Sequence, residues 1–104
     1  MTLSDYDVEI LIVPAVRYAL NSHTYIVSSV SEAVMNLFPK ASVKTLSVLA
    51  RDIREHIEEE EKEETSEMYN MDLRAWREFE EKLIGELKIR GYKRNEDNGM
   101  FEKF

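Results

Sequence analysis

The chain lacks cysteine, and it has only two proline and three glycine residues in 104. Without cysteine it cannot form a disulfide, a thiolate metal site or a cysteine nucleophile. The absence of cysteine fits the reducing cytoplasm, where we expect the protein to reside. Helix-forming residues dominate, and no long run alternates apolar and polar residues. The sequence therefore predicts an all-α protein.

Long apolar runs are also missing. The longest, residues 10–16, is interrupted by Pro14 and is much shorter than the ~20 residues that a membrane-spanning helix needs. The first ten residues, MTLSDYDVEI, have no basic segment and no apolar core, so they do not resemble a signal peptide. We expect a soluble protein that does not contact a membrane.

Basic stripes are absent as well, and the net charge of −7 is unevenly distributed. Residues 51–81 contain five Lys or Arg against thirteen Asp or Glu, which leaves −8 in this segment alone. Proteins that bind nucleic acid directly usually carry a basic patch, so direct binding is not expected. An acidic surface that meets a basic partner is compatible with this distribution.

The periodicity predicts a compact four-helix domain over residues 1–92. The first helix begins after Ser4 and is either kinked or restarted at Pro14, because proline in a helix interior removes a hydrogen bond. Ser42 and Asp72 are expected to cap the third and fourth helices, and Gly91 to end the fourth. The predicted apolar faces of helices two, three and four are Ile26, Val30, Ala33, Val34 and Leu37; Leu46, Leu49, Ala50, Ile53 and Ile57; and Leu73, Trp76, Phe79, Leu83 and Leu87.

The C-terminal tail, residues 93–104, is polar but contains aromatic residues. Two interpretations stay open for it. Either the tail is frayed, or Asn98-Gly99 forms a tight turn that folds Met100 and Phe101 back onto the domain.

The acidic run EEEEKEETSE, residues 58–67, is the first candidate site. It has no apolar residue, so it is either a solvated helix face or a docking surface for a basic partner. As a docking surface, its carboxylates would occupy the positions of phosphates in a nucleic-acid channel. The predicted partner-binding residues are Glu58, Glu59, Glu60, Glu61, Glu63 and Glu64.

The corner between the first two helices is the second candidate site. Arginine there can bind a phosphate or carboxylate, and tyrosine can stack on a base. The ordinary interpretation is that Tyr18 and Tyr25 pack the corner while Arg17 pairs with an acid such as Asp5 or Asp7. The predicted residues of a small-ligand site, for a nucleotide-like anion, are Arg17, Tyr18, His23 and Tyr25.

Catalytic and metal-binding motifs are absent from the sequence. There is no nucleophile elbow, phosphate loop or zinc-protease motif, so we expect no enzyme activity and no cofactor. His56 and Glu60 are four residues apart, with Glu59 and Glu63 nearby, but His23 lies far away in the chain. This spacing is more typical of a surface histidine than of a metal site.

Three segments occur in an order that resembles a known group of proteins: PAVRYALNSHTYIVSSV, ARDI and MDLRAWREF. Over roughly residues 10–80 the chain resembles small uncharacterised proteins carried by phages and other mobile elements. Those proteins usually have Gly-Arg in the turn where this chain has Asn21-Ser22, so a basic contact of the family would be missing here.

The resemblance implies a genetic context rather than a chemistry. Small phage proteins without catalytic motifs often inhibit host defence proteins, for example by occupying the nucleic-acid site of a nuclease, or sequester a signalling nucleotide. We therefore expect an anti-defence inhibitor that contacts a host protein through its acidic helix. The alternatives are a binding protein for a nucleotide-like anion and a structural or assembly subunit. Because a domain of this size buries limited surface, a homo-oligomer is expected.

Overall fold

The computed structural model describes residues 4–22, 25–62, 67–95 and 99–104, and within them it confirms the predicted all-α, four-helix domain. No helix in these ranges is apolar over a length that would cross a membrane. The elements are α1 (Asp5–Leu20), α2 (Tyr25–Met35), a 3₁₀ turn (Phe38–Lys40), α3 (Val43–Lys62), α4 (Glu67–Ile89), β1 (Tyr92–Arg94) and β2 (Phe101–Lys103).

Helix α1 begins at the predicted cap. The Asp7 amide donates to Ser4 Oγ at 3.1 Å, and the Ser4 amide donates to the Asp7 carboxylate at 3.1 Å, which completes a capping box. The hydrogen bond from the Ser4 side chain and that from its backbone lower the pKa of Asp7. The helix continues through Pro14 to Leu20 without interruption, so a separate helix does not start at Pro14. The predicted kink stays a prediction.

The face that helix α2 presents to the core matches the predicted one only in part: Val34 is buried and Val30 packs against the core, as predicted. Val27, Ser31 and Val34 are buried, whereas Ala33 is exposed. The apolar residues of this helix fit two overlapping faces, and the choice between them depends on whether serine can be buried. Ser31 can, because its hydroxyl donates to the Ser28 carbonyl oxygen at 3.2 Å. The helix also ends at Met35, so Leu37, the last residue of the predicted apolar face, lies beyond it.

Helices α3 and α4 supply most of the core, and all ten of their predicted apolar positions are buried. The Thr45 amide donates to Ser42 Oγ at 3.1 Å, which confirms the predicted cap of α3. Phe79 makes edge-to-face contacts with Phe38, at 5.1 Å between ring centroids, and with Trp76, at 5.5 Å. Such aromatic contacts add to the stabilisation that burial provides.

The predicted cap of α4 is wrong. Helix α4 begins at Glu67, so Asp72 lies inside the helix, where it is buried. Asp72 has a side chain that can cap a helix, but residues 67–71 are themselves compatible with a helix. Helix α4 therefore begins five residues before Asp72. The C-terminal end of the helix is as predicted: Gly91 has a positive φ of 90°, which closes the helix.

The C-terminal tail folds back rather than frays. Strands β1 and β2 pair antiparallel, with Tyr92 opposite Lys103 and Arg94 opposite Phe101. Gly99 has a φ of 72°, in keeping with the predicted turn, whereas Asn98 lies outside the described residues. Phe101 packs against the core, but Met100 is exposed, contrary to the expectation that both would return to the domain.

Candidate functional site

The acidic run begins as a direct continuation of α3. Residues 58–62 are helical, and Glu63 and Glu64 lie outside the described residues. Glu58, Glu59 and Glu61 are exposed, whereas Glu60 is partly buried. The first part of the predicted docking surface is therefore presented by a regular helix of twenty residues.

Two of these glutamates contact basic groups of the same domain. Arg77 of α4 donates to Glu61 Oε1 at 2.8 Å, which ties the end of α3 to α4. His56 Nε2 lies 4.0 Å from Glu60 Oε1, and the His56 ring meets Trp76 edge-on at 6.2 Å. His56 is thus partly buried against the core, whereas its spacing had indicated a surface histidine.

A shallow depression of about 590 Å³ separates α1 from α3 and brings the two candidate sites together. Arg17 of the predicted ligand site and Glu59 of the predicted docking surface both line it. Asp52 and Glu55, which the sequence patterns did not indicate, lie on the same wall. They were missed because they precede the acidic run, yet positions 52, 55 and 59 lie on one side of a helix.

Arg17 pairs across this depression. Its Nε donates to Asp52 Oδ2 at 3.3 Å, so Arg17 pairs with an acid, as expected, but with one of α3 rather than of its own helix. Asp7, named as a possible partner, lies almost three turns earlier on α1, whereas α3 crosses close by. The carboxylates around Arg17 make its surroundings acidic. This setting favours a cationic partner and gives no support to an anion at Arg17.

Of the other predicted ligand residues, Tyr18 is the one whose side chain the structure describes. Tyr18 is 63% exposed, so it does not pack the corner as expected. His23 and the side chain of Tyr25 lie outside the described residues. The small-ligand site therefore stays a prediction.

Tyr18 belongs instead to an exposed apolar face of α1. The exposed positions 6, 10, 14 and 18 recur every four residues, so they lie on one side of the helix, and Leu11 lies beside them. We call this surface the α1 face; it consists of Tyr6, Ile10, Leu11, Pro14 and Tyr18. Clustered exposed apolar side chains often mark an interaction surface.

A third surface lies between α3 and the hairpin. It is a groove of about 560 Å³ whose α3 wall includes Lys44, Val48 and Arg51, and whose opposite wall includes Met100 and Phe101. We call it the hairpin groove. The sequence patterns did not indicate it, because one wall belongs to a tail whose fold was left open.

Glu80 fixes the floor of the hairpin groove. This buried carboxylate of α4 accepts two hydrogen bonds from Arg54, at 2.9 and 2.7 Å, and one from Arg94 at 3.5 Å. The hydrogen bond with Glu80 raises the pKa of Arg54, which keeps the guanidinium charged. Arg94 in turn lies 5.1 Å from the centre of the Phe101 ring, a cation–π contact.

Glu9 joins α1 to the start of α3. Its carboxylate accepts hydrogen bonds from the Ser42 amide, the Ser42 hydroxyl at 3.1 Å and the Thr45 hydroxyl. Burial raises the pKa of Glu9, but these hydrogen bonds and the charge of Arg90 outweigh it, so the pKa lies below its ordinary value of 4.5. We interpret Glu9 as a structural carboxylate, because its oxygens are occupied within the domain.

Metal-binding and catalytic constellations are not apparent in residues 4–22, 25–62, 67–95 and 99–104. No three His, Asp or Glu side chains within these ranges converge to hold a metal ion. Comparison of the chain with protein-family models, curated proteins and solved structures found no match. The candidate sites are therefore the acidic surface of α3 around Asp52, Glu55 and Glu59, the α1 face and the hairpin groove.

Proposed function

We propose that the protein is a non-catalytic inhibitor, encoded by a phage or other mobile element, that binds a host protein through the acidic surface of α3. The surface, which we call the acidic surface, consists of Asp52, Glu55, Glu58 and Glu59 and continues within α3 to Glu60 and Glu61. The partner would be a protein with a basic channel for nucleic acid, such as a defence nuclease. The carboxylates would occupy the positions that phosphates take in that channel.

The observation that carries this proposal is the position of the acidic residues at the C-terminal end of a helix. The helix dipole makes the last turn of α3 negative, so Glu59, Glu60 and Glu61 there each cost about 0.3–1 kcal/mol of stability. Asp52 and Glu55 lie further from this end. Glu55 and Glu59, four residues apart, add a like-charge pair, which is also unfavourable in a helix. Charges that oppose the stability of the helix are readily explained when a partner neutralises them.

The arrangement of the carboxylates also suits a basic channel. Asp52, Glu55 and Glu59 lie on successive turns of α3 and span about 10 Å along its axis. They stand on a helix whose opposite side is fully buried, so their spacing is fixed before binding. A preorganised row of charges loses less entropy on binding than a mobile tail with the same charge.

Charge reversal tests this proposal. The variant Glu58→Lys/Glu59→Lys should lose binding to its partner, because two attractive charges become repulsive. The partner would be retained from a bacterial lysate by the immobilised wild-type protein at about 50 mM salt and released at about 500 mM, where charges are strongly screened. Added duplex DNA should also displace the partner if the two compete for one channel.

A matched control separates this surface from net charge. Glu32 of α2 and Glu81 of α4 are exposed and lie away from the acidic surface, so Glu32→Lys/Glu81→Lys makes the same change in net charge elsewhere. The control should retain the partner. Equal retention by both variants, or a partner that DNA does not displace, would argue against the proposed function.

A further inference from the structure

The hairpin groove differs from the acidic surface in the sign of its charge. Four cationic residues line it, Lys44, Arg51, Arg54 and Arg94, in a chain whose net charge is −7. Glu55 and Glu58 line one end, and Glu80 compensates part of the charge on the floor. The groove is thus a region where positive charge collects on an acidic protein.

The cations at the mouth of the groove face solvent. Lys44 is exposed, and the Arg51 side chain is 66% exposed, with Asp52 at 4.0 Å as a distant neighbour. Two turns of α3 separate Lys44 from Arg51, and Val48 lies between them. By contrast, Arg54 and Arg94 are held in place by Glu80. The groove therefore has a fixed cationic floor and two cations that can reach a ligand.

Apolar side chains line the groove between these cations. Val48 of α3 faces the groove from one wall, and Met100 and Phe101 of the hairpin from the other. Met100 is 66% exposed, although a methionine thioether chain is readily buried against a ligand. A volume of about 560 Å³ lies within the range of small-molecule sites.

This combination restricts the chemistry of an occupant. A small inorganic anion would leave the apolar walls exposed, and a neutral hydrocarbon would bury cations without compensation. A nucleic-acid strand would bring its phosphates close to Glu55 and Glu58. An organic anion with an apolar body satisfies both the walls and the cations.

We propose that the hairpin groove binds a small amphipathic organic anion, of the alkyl or aryl carboxylate class. Its charged group pairs with Lys44 and Arg51, at the end of the groove away from Glu58, and its apolar body lies between Val48 and Phe101. This site does not depend on the proposed function, because its ligand and its cationic contacts are different, although Glu55 and Glu58 of the acidic surface also line one end of the groove.

Octanoate is a suitable probe, and the amide resonances of the ¹⁵N-labelled full chain report where it binds. Octanoate should shift the resonances of Ser47, Val48, Gly99 and Phe101 in a saturable manner. Octanol tests the contribution of charge, and acetate tests that of the apolar body. Both should bind at least about tenfold more weakly than octanoate, since each lacks one of the two interactions.

The variant Lys44→Glu/Arg51→Glu should reduce octanoate affinity by about tenfold or more. Both side chains are exposed, so the variant should remain folded, as its amide spectrum would verify. Lys82→Glu/Lys88→Glu makes the same change in charge on exposed positions of α4 and should leave the affinity unchanged.

Three results would overturn the proposal: no saturable shifts in the groove, shifts centred on the α1 face instead, or equal octanoate affinity of the wild type and the groove variant. None of them bears on the acidic surface, whose test is retention of a protein partner. Failure of one proposal is thus distinguishable from failure of the other.

Discussion

At the residue scale, Glu80 links α4 to both α3 and the hairpin through its hydrogen bonds with Arg54 and Arg94. It is buried, and the guanidinium groups of Arg54 and Arg94 surround it. We predict that Glu80→Gln lowers the free energy of unfolding by about 2–3 kcal/mol, because two arginines lose their compensating charge. Urea denaturation followed by circular dichroism measures this change.

Glu81→Gln is the matched control, since Glu81 is adjacent in α4 but exposed. Its effect should stay within about 0.5 kcal/mol of zero. If Glu80→Gln unfolds at the same urea concentration as Glu81→Gln, then the hydrogen bonds between Glu80 and Arg54 stabilise the fold no more than hydrogen bonds to water would.

Glu9 makes stability depend on pH. Its pKa is lower in the folded protein than the ordinary value of 4.5, because the hydrogen bonds from Thr45 and Ser42 outweigh the effect of burial. The ionised form therefore stabilises the fold above that value, and this contribution is lost as the pH falls through the folded pKa. We predict that Glu9→Gln costs about 1–2 kcal/mol at pH 7.

The difference in unfolding free energy between wild type and Glu9→Gln should then shrink as the pH falls below 4.5 and through the lower folded pKa, where the wild-type carboxyl becomes protonated. Glu32→Gln, an exposed position on α2, should show no comparable trend. A difference between wild type and Glu9→Gln that is independent of pH would show that shape, not charge, accounts for the role of Glu9.

At the scale of the elements, two glycines of the same region should respond to alanine in opposite directions. Gly91 has a φ of 90°, which alanine adopts with strain, so Gly91→Ala should destabilise by about 1 kcal/mol. Gly85 lies inside α4 with no neighbouring atom within 4 Å of an added methyl group. Gly85→Ala should therefore stabilise by about 0.5–1 kcal/mol.

Thermal unfolding of both variants measures this contrast. Both variants replace glycine by alanine at positions six residues apart. The chemical change is therefore identical, and the two variants differ in the backbone conformation at the substituted position. A melting temperature that falls for both would mean that α4 has no room at Gly85. One that rises for both would mean that the hairpin does not require a positive φ at Gly91.

The elements also show where the sequence was informative. Helices α3 and α4 have a single apolar face each, so their buried apolar residues, from Leu46 to Leu87, were predictable, whereas the burial of Asp72 and Glu80 was not. Helix α2 has two overlapping faces, and burial of Ser31 depends on a local hydrogen bond that periodicity does not reveal. The hairpin joins two three-residue strands, too short for an alternating pattern to stand out.

The candidate sites, too, were predictable only where their residues are close together in the sequence. The acidic run is contiguous in sequence, so its glutamates were identified from composition. Asp52 joins them only through the periodicity of α3, and its bond to Arg17 requires α1 and α3 to lie side by side. The hairpin groove combines residues more than forty positions apart, Lys44 and Phe101 among them, and becomes visible only once the tail is placed.

At the scale of the whole molecule, three surfaces are chemically distinct: the acidic surface of α3, the cationic hairpin groove and the apolar α1 face. Glu55 lines both the depression between α1 and α3 and the hairpin groove, so it marks the border between the acidic surface and the hairpin groove. Opposite charges on adjoining faces give the molecule a directional field, which orients a charged partner during approach.

The α1 face leads to a prediction about assembly. Tyr6, Ile10, Leu11 and Tyr18 are each at least half exposed, and together with Pro14 they present on the order of 500 Å² of surface. Two copies that pair through this face would bury about 1,000 Å² in total, close to the lower limit for a specific interface. We predict a homodimer with facing α1 helices, of moderate affinity, with twice the 12.2 kDa mass of the chain.

Sedimentation equilibrium over a range of concentrations tests this prediction. Ile10→Lys/Leu11→Lys should shift the protein to the monomer, since four lysines would meet at the centre of the symmetric interface. Ile89→Lys is the control, because Ile89 is 83% exposed but lies on α4 outside the α1 face. The dimer should persist in the control. A wild-type mass of 12.2 kDa at every concentration would contradict the predicted homodimer.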